Sequence, residues 1–170
     1  MRYCRLTGIF LAVYVLFVVL SPGLIMSLPS VPQVDCKGGT RPIDHAPILM
    51  SGHTNWITSL VHAIVFGTLV GIILTVSTKS RVFPHGVFVG TMAAAFFYML
   101  VPGQILSLPA MPMTICKKGK SVQRVSRIFF SGTASPIGSL WQGAVATGLI
   151  ALCTYHIIGH AHWKHLMKPV

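Results

Sequence analysis

The sequence predicts an all-α integral membrane protein: four transmembrane helices in two tandem helical hairpins with pseudo-two-fold symmetry. Three observations carry this expectation. Hydrophobic residues make up 53% of the 170 residues and charged ones 9%, with a mean hydropathy of +0.73, whereas soluble domains carry about 25% charged residues. Four apolar stretches, about 7–26, 57–76, 87–106 and 137–156, contain no Asp, Glu, Lys or Arg, and each is long enough to cross roughly 30 Å of hydrocarbon at about 1.5 Å per residue. The chain also matches itself when shifted by 80 residues: LSPGLIMSLPSVPQVDCKGG from Leu20 aligns without a gap to LVPGQILSLPAMPMTICKKG from Leu100.

A fixed internal period sets the architecture. The register continues through Ser51-Gly52 and Ser131-Gly132, Ile57 and Ile137, and Ser59-Leu60 and Ser139-Leu140. It divides the chain into a first two-span repeat, 1–80, and a second, 81–170, which ends in a His-rich basic tail. Two spans per repeat give both copies one orientation, related by an axis along the membrane normal.

The first span follows Arg2 and Arg5 and resembles a signal sequence. No small-residue cleavage site follows it, and the third span repeats it internally, so an uncleaved anchor is expected. Thirteen Lys and Arg stand against two acids, Asp35 and Asp44. The Lys and Arg divide almost evenly between the two sides, leaving the positive-inside rule tied. Arg2 and Arg5 favour a cytoplasmic N-terminus, and the long third connection, with Lys117, Lys118, Lys120, Arg124 and Arg127, argues the reverse. The basic flanks suit anionic lipid head groups. Nucleic acid is not expected as a partner, because the charge is scattered along membrane flanks. A multi-pass protein of the endomembrane system or plasma membrane is expected.

Each first span ends in a helix-breaking motif, Pro22, Gly23 and Pro29 or Pro102, Gly103 and Pro109. Proline removes a helical hydrogen bond and kinks the chain, so a bent exit at the interface is expected. The second spans open with caps: Thr54 or Asn55 before Ile57, and Ser135 before Pro136. Within them runs a ridge of small residues, Ala63, Gly67 and Gly71 in the first copy and Gly143, Thr147 and Ala151 in the second. Such ridges let helices approach closely in lipid, and this one is expected to join the two second spans or to meet a partner.

The midspan polar residues are Ser59 and His62, with their counterparts Ser139 and Gln142. Polar groups in lipid face protein or a cavity, so His62 and Gln142 are expected to meet across the axis and hydrogen-bond. Cys36 and Cys116 occupy equivalent positions on one side and form a possible disulfide in an oxidising compartment; Cys4 and Cys153 are incidental. His156, His160, His162 and His165 crowd the tail, and the spacing of the first two would place them on one helix face. No carboxylate or cysteine joins them, and no metal or other cofactor is expected. Paired carboxylates, GxSxG, HExxH and a phosphate-binding glycine loop are all missing, so an enzyme is not expected.

Three short motifs together carry a family resemblance: LSPGLIMSLP at 20–29, MSG at 50–52 and SLVHAIVFG at 59–67, echoed by LVPGQILSLP, FSG and SLWQ in the second copy. The chain resembles a family of small land-plant two-span membrane proteins of unknown function, here as a tandem duplication. The second copy departs at Gln142. The resemblance implies a plant-type membrane protein and brings no activity, ligand or catalytic residue. The preferred function is a non-enzymatic accessory, scaffold or assembly subunit that packs through the small-residue faces against the bilayer and a membrane-protein partner or a second copy. The alternative is a small transporter or channel with a site between the repeats near His62 and Gln142.

Overall fold

Four helices dominate the computed structural model, which describes residues 2–34, 43–45, 48–78, 83–108, 112–117, 120–125 and 128–166. They are α1 (Arg2–Leu20), α2 (Trp56–Thr78), α3 (Phe83–Leu100) and α4 (Pro136–Leu166). Two helices are long and apolar enough to cross a membrane, over Trp56–Ser77 and Pro136–His156; α1 and α3 hold shorter apolar stretches, Thr7–Leu20 and Gly86–Leu100.

The expected first and third spans are therefore too long at their C-terminal ends. Both helices stop before the Ser-Pro-Gly or Val-Pro-Gly sequence, and Gly23 and Gly103 turn the chain at φ of 87° and 89°. A left-handed residue of this kind cannot continue a right-handed helix, and glycine adopts it without steric cost. Conversely, α4 runs well past the expected end at 156, so the histidine-rich tail is helical in backbone.

Two pairs of short strands lie in the connecting segments, which the sequence reading left as loops. β1 (Pro32–Val34) pairs antiparallel with β2 (Ile43–His45), and β3 (Pro112–Lys117) with β4 (Lys120–Val125). Cys116 lies in β3, with Ser121 opposite it. Cys36 and the Cys116 side chain fall outside the described residues, as do Pro109 and the side chains of Cys4, His160, His162 and His165.

The caps form as the residue types dictate. Asn55 Oδ1 accepts the Thr58 N–H at 2.7 Å, and Ser135 Oγ accepts the Gly138 N–H at 3.0 Å with Pro136 in the first turn. The bundle centre is filled by Phe17, Phe66 and Phe97, each fully buried, with ring centroids 4.8 to 5.8 Å apart. Val13, Val70, Ala93, Val101, Ala146 and Ile150 close round them. The residue 80 positions after Phe66 is Ala146, so three rings rather than four meet at the axis.

The small-residue ridge of α2 packs against α3, not α4, which corrects the expectation that the two second spans meet through it. A Cβ on Gly90 would lie 2.7 Å from the Gly67 carbonyl oxygen, and one on Gly71 would lie 2.9 Å from that of Gly86. Backbones this close require glycine on both helices, and the close approach maximises the dispersion contact between them. The α4 ridge meets α1 instead, where Gly143 lies under Phe17 and Tyr14. Residues 10 and 14 of α1 are Phe and Tyr where α3 has Gly90 and Ala94, and α1 packs less extensively on α4 than α2 does on α3.

Candidate functional site

Of the residues singled out from sequence, the described helix-break residues Pro22, Gly23, Pro29, Pro102 and Gly103 lie at the two corners that follow α1 and α3, and His62 and Gln142 reach them. The small-residue ridges lie along α2 and α4 instead. Each corner is built by the same backbone bonds 80 residues apart. Ser27 N–H donates to Ile48 O and Ser107 N–H to Ile128 O, at 2.8 and 2.7 Å; Gly52 N–H donates to Gly23 O and Gly132 N–H to Gly103 O, both at 2.9 Å. Ser27 and Ser51 join their hydroxyls across the first corner, as Ser107 and Ser131 do across the second. The residues that swing the chain back, Met50 and Phe130, both take positive φ.

A reciprocal strap then ties one half to the other. Thr54 N–H donates to Gly132 O and Ala134 N–H to Gly52 O, both at 2.9 Å, with His53 bridged to Thr133. Each corner glycine also receives the other half's strap, for a Cβ on Gly23 would lie 3.0 Å from Ala134 Cβ, and one on Gly103 would lie 2.5 Å from Thr54 Cγ2. Sequence reasoning missed this contact. Its signal was present in the paired SGHT and SGTA sequences, which hold a glycine followed by two strand-compatible residues. Burial pushes the half-buried His53 ring below the usual imidazole pKa, so this strap is uncharged at neutral pH.

His62 and Gln142 do not meet. His62 Nδ1 lies 2.6 Å from Leu20 O, and its Nε2 accepts the Leu28 N–H at 3.2 Å. Because Nε2 accepts, the proton sits on Nδ1 and is donated to the carbonyl; the ring is the neutral tautomer that two backbone groups require. It spans the break after α1, joining the last turn of that helix to the residue five beyond the corner glycine. Gln142 turns to its own corner and donates from Nε2 to Leu106 O at 2.7 Å. The expected pair is replaced by two separate clamps, because a ring aimed at an open helix end finds a better acceptor there than across the bundle.

Thr58 and Ser59 complete the first clamp. Thr58 donates to Pro29 O at 2.9 Å, and the Ser59 hydroxyl pairs with that of Thr54 at 3.0 Å. The second half has Gly138 and Ala134 in place of the two threonines, and there the Ser139 hydroxyl and the Gln142 carbonyl oxygen are buried without a hydrogen-bond partner. Thr147 Oγ1, on the α4 ridge, is likewise unpartnered.

Replacing His62 with Ala strands Leu20 O and Leu28 N–H, an expected loss of about 1–3 kcal/mol. Hydrogen exchange at Leu28 should accelerate with it. Gln142→Ala, which breaks one bond rather than two, should cost less and leave Leu28 protected.

Among the described residues no three His, Cys, Asp or Glu side chains come together as metal ligands. His156 is exposed, its ring edge-on to Tyr155 at 5.6 Å, and Cys153 is a half-buried free thiol. On the outer surface of the α2–α3 pair, where the glycines draw the helices together, runs an open apolar furrow of about 620 Å³. Ile64, Thr68, Ile72, Val76, Val87 and Thr91 form its walls, and the Thr68 and Thr91 hydroxyls are turned back onto the Ile64 and Val87 carbonyls of their own helices.

No curated protein and no solved structure matches the chain. Residues 6–82, which hold α1 from Leu6 onward, the first corner with its His62 clamp, and α2, match the family described as a protein of unknown function, DUF3339.

Proposed function

We propose that this chain is a non-enzymatic membrane subunit, a tandem duplication of a two-helix unit that spans the bilayer four times and receives one helix of a partner in the α2–α3 furrow. The single observation that carries the reading is that furrow, which is apolar, open along its length and floored by glycine. In lipid, association depends on close packing rather than on hydrophobic transfer, so a groove into which a neighbouring helix can settle is the surface that matters. The recurrence of the Ser27–Ile48 and Gly52–Gly23 bonds at a distance of 80 residues supports the duplication.

The alternative of a conducting path has less support. Phe17, Phe66 and Phe97 fill the bundle axis, and His62 and the Gln142 Nε2 each turn to their own corner. A scaffold needs the well-packed interior that those side chains provide.

Thr68→Phe together with Thr91→Phe fills the furrow from its rim without touching the glycine contact. The native protein extracted in mild detergent is expected to carry a stoichiometric second component, identified by native mass spectrometry. The double variant is expected to lose it while keeping its melting temperature. A native particle containing one chain alone, or a double variant that retains its companion, sinks the proposal.

A further inference from the structure

We infer that the second half holds a buried water between Ser139 and Gln142, at the position where the first half satisfies itself with side chains. The inference is independent of the furrow and of any partner. It starts from two polar atoms on one face of α4. Ser139 is 0% exposed and Gln142 2%, and residues three apart on a helix are neighbours. Ser139 Oγ and Gln142 Oε1 both lack a partner. The orientation of the Gln142 amide is set by its other end, since Leu106 O can accept only from Nε2; Oε1 is therefore the atom left facing the interior.

The first half shows what the arrangement needs. There the Ser59 hydroxyl meets Thr54, and His62 serves both a carbonyl and the Leu28 N–H. In the second half Ala134 has no hydroxyl for Ser139, and the Leu108 N–H, counterpart of Leu28, is not taken up by Gln142. A single neutral molecule that both donates and accepts matches these groups: it donates to Gln142 Oε1, exchanges a bond with Ser139 and accepts from Leu108. Buried waters make about three hydrogen bonds of this kind. A cation does not fit, because no acidic side chain lies on this face to balance its charge in a low-dielectric setting. The site lies about 5–9 Å of helix rise inside the start of α4, shallow enough for exchange with the interface.

The test uses the full-length protein in nanodiscs and two serine variants. With a bound water, Ser139→Ala removes a satisfied hydroxyl and is expected to lower the melting temperature, as is Ser59→Ala, whose hydroxyl pairs with Thr54. Without one, Ser139→Ala deletes a stranded polar group and raises it. The native protein should also show a long-lived water cross-peak to the Gln142 side-chain amide by NMR. Ala134→Thr should weaken that cross-peak, since its hydroxyl replaces the water at Ser139; the threonine methyl has room beside Gly23 as that of Thr54 has beside Gly103. A melting temperature raised by Ser139→Ala, or a native protein without the cross-peak, overturns the inference.

Discussion

Gly67→Leu separates the α2–α3 pair. A Cβ on Gly67 meets the Gly90 carbonyl oxygen and lies 2.6 Å from Ala94 Cβ, and a leucine adds three further carbons behind it. The obstacle is backbone, so no rotamer change relieves it and the helices must part along their whole contact. Overpacking of a dense core costs about 1–3 kcal/mol; this substitution belongs at or above the upper end, about 3 kcal/mol. Gly148→Leu is the control: nothing lies within 4 Å of a Cβ there, and a surface change of that kind stays within about 0.5 kcal/mol. Equal melting temperatures for the two variants in mild detergent would refute the α2–α3 packing. The ridge that the sequence offered to the other second span or to a partner thus holds the chain's own hairpin together.

Gly103→Ala undoes the second corner and the strap together. Its φ of 89° costs a residue with a Cβ about 1–2 kcal/mol. The new methyl would also lie 2.7 Å from Thr133 O as well as 2.5 Å from Thr54 Cγ2. With the crowding included, the expected loss is about 3–4 kcal/mol. Thr54→Ala alone gives up the bond to Ser59, about 1 kcal/mol, yet it clears the methyl out of the way of residue 103. The double variant should therefore lose less than the sum of the singles, a coupling that a thermodynamic cycle measures. Strict additivity would mean that the strap of the first half does not rest on the corner of the second.

The sequence exposed what the chain repeats and hid what it pairs. The corners were legible because Pro-Gly and Ser-Gly have local conformational meaning that survives without neighbours. The caps at Asn55 and Ser135 were legible for the same reason. The partner of the α2 ridge was not, because only the ridges of α2 and α4 fall at matching positions in both halves. Gly86, Gly90 and Ala94 form a ridge of their own on α3, spaced as it should be, but their counterparts on α1 are Leu6, Phe10 and Tyr14. His62 was singled out as polar, and its direction was missed: the acceptor it seeks, Leu20 O, exists only because α1 ends at that turn. The strands escaped notice because three- to six-residue pairs carry little periodicity.

The reciprocal strap has a consequence for chains shorter than this one. Its two bonds are exchanged between like segments, 52–54 and 132–134, so a single unit carries both a donor and an acceptor for a copy of itself. Cut between residues 78 and 83, the chain would yield two fragments, each with an unsatisfied N–H and C=O at the same edge. Mixing them should restore the strap. A one-unit relative that keeps the Gly-x-Thr segment would have the means to close on itself as an isologous dimer, with a covalent linker here doing what mass action would do there.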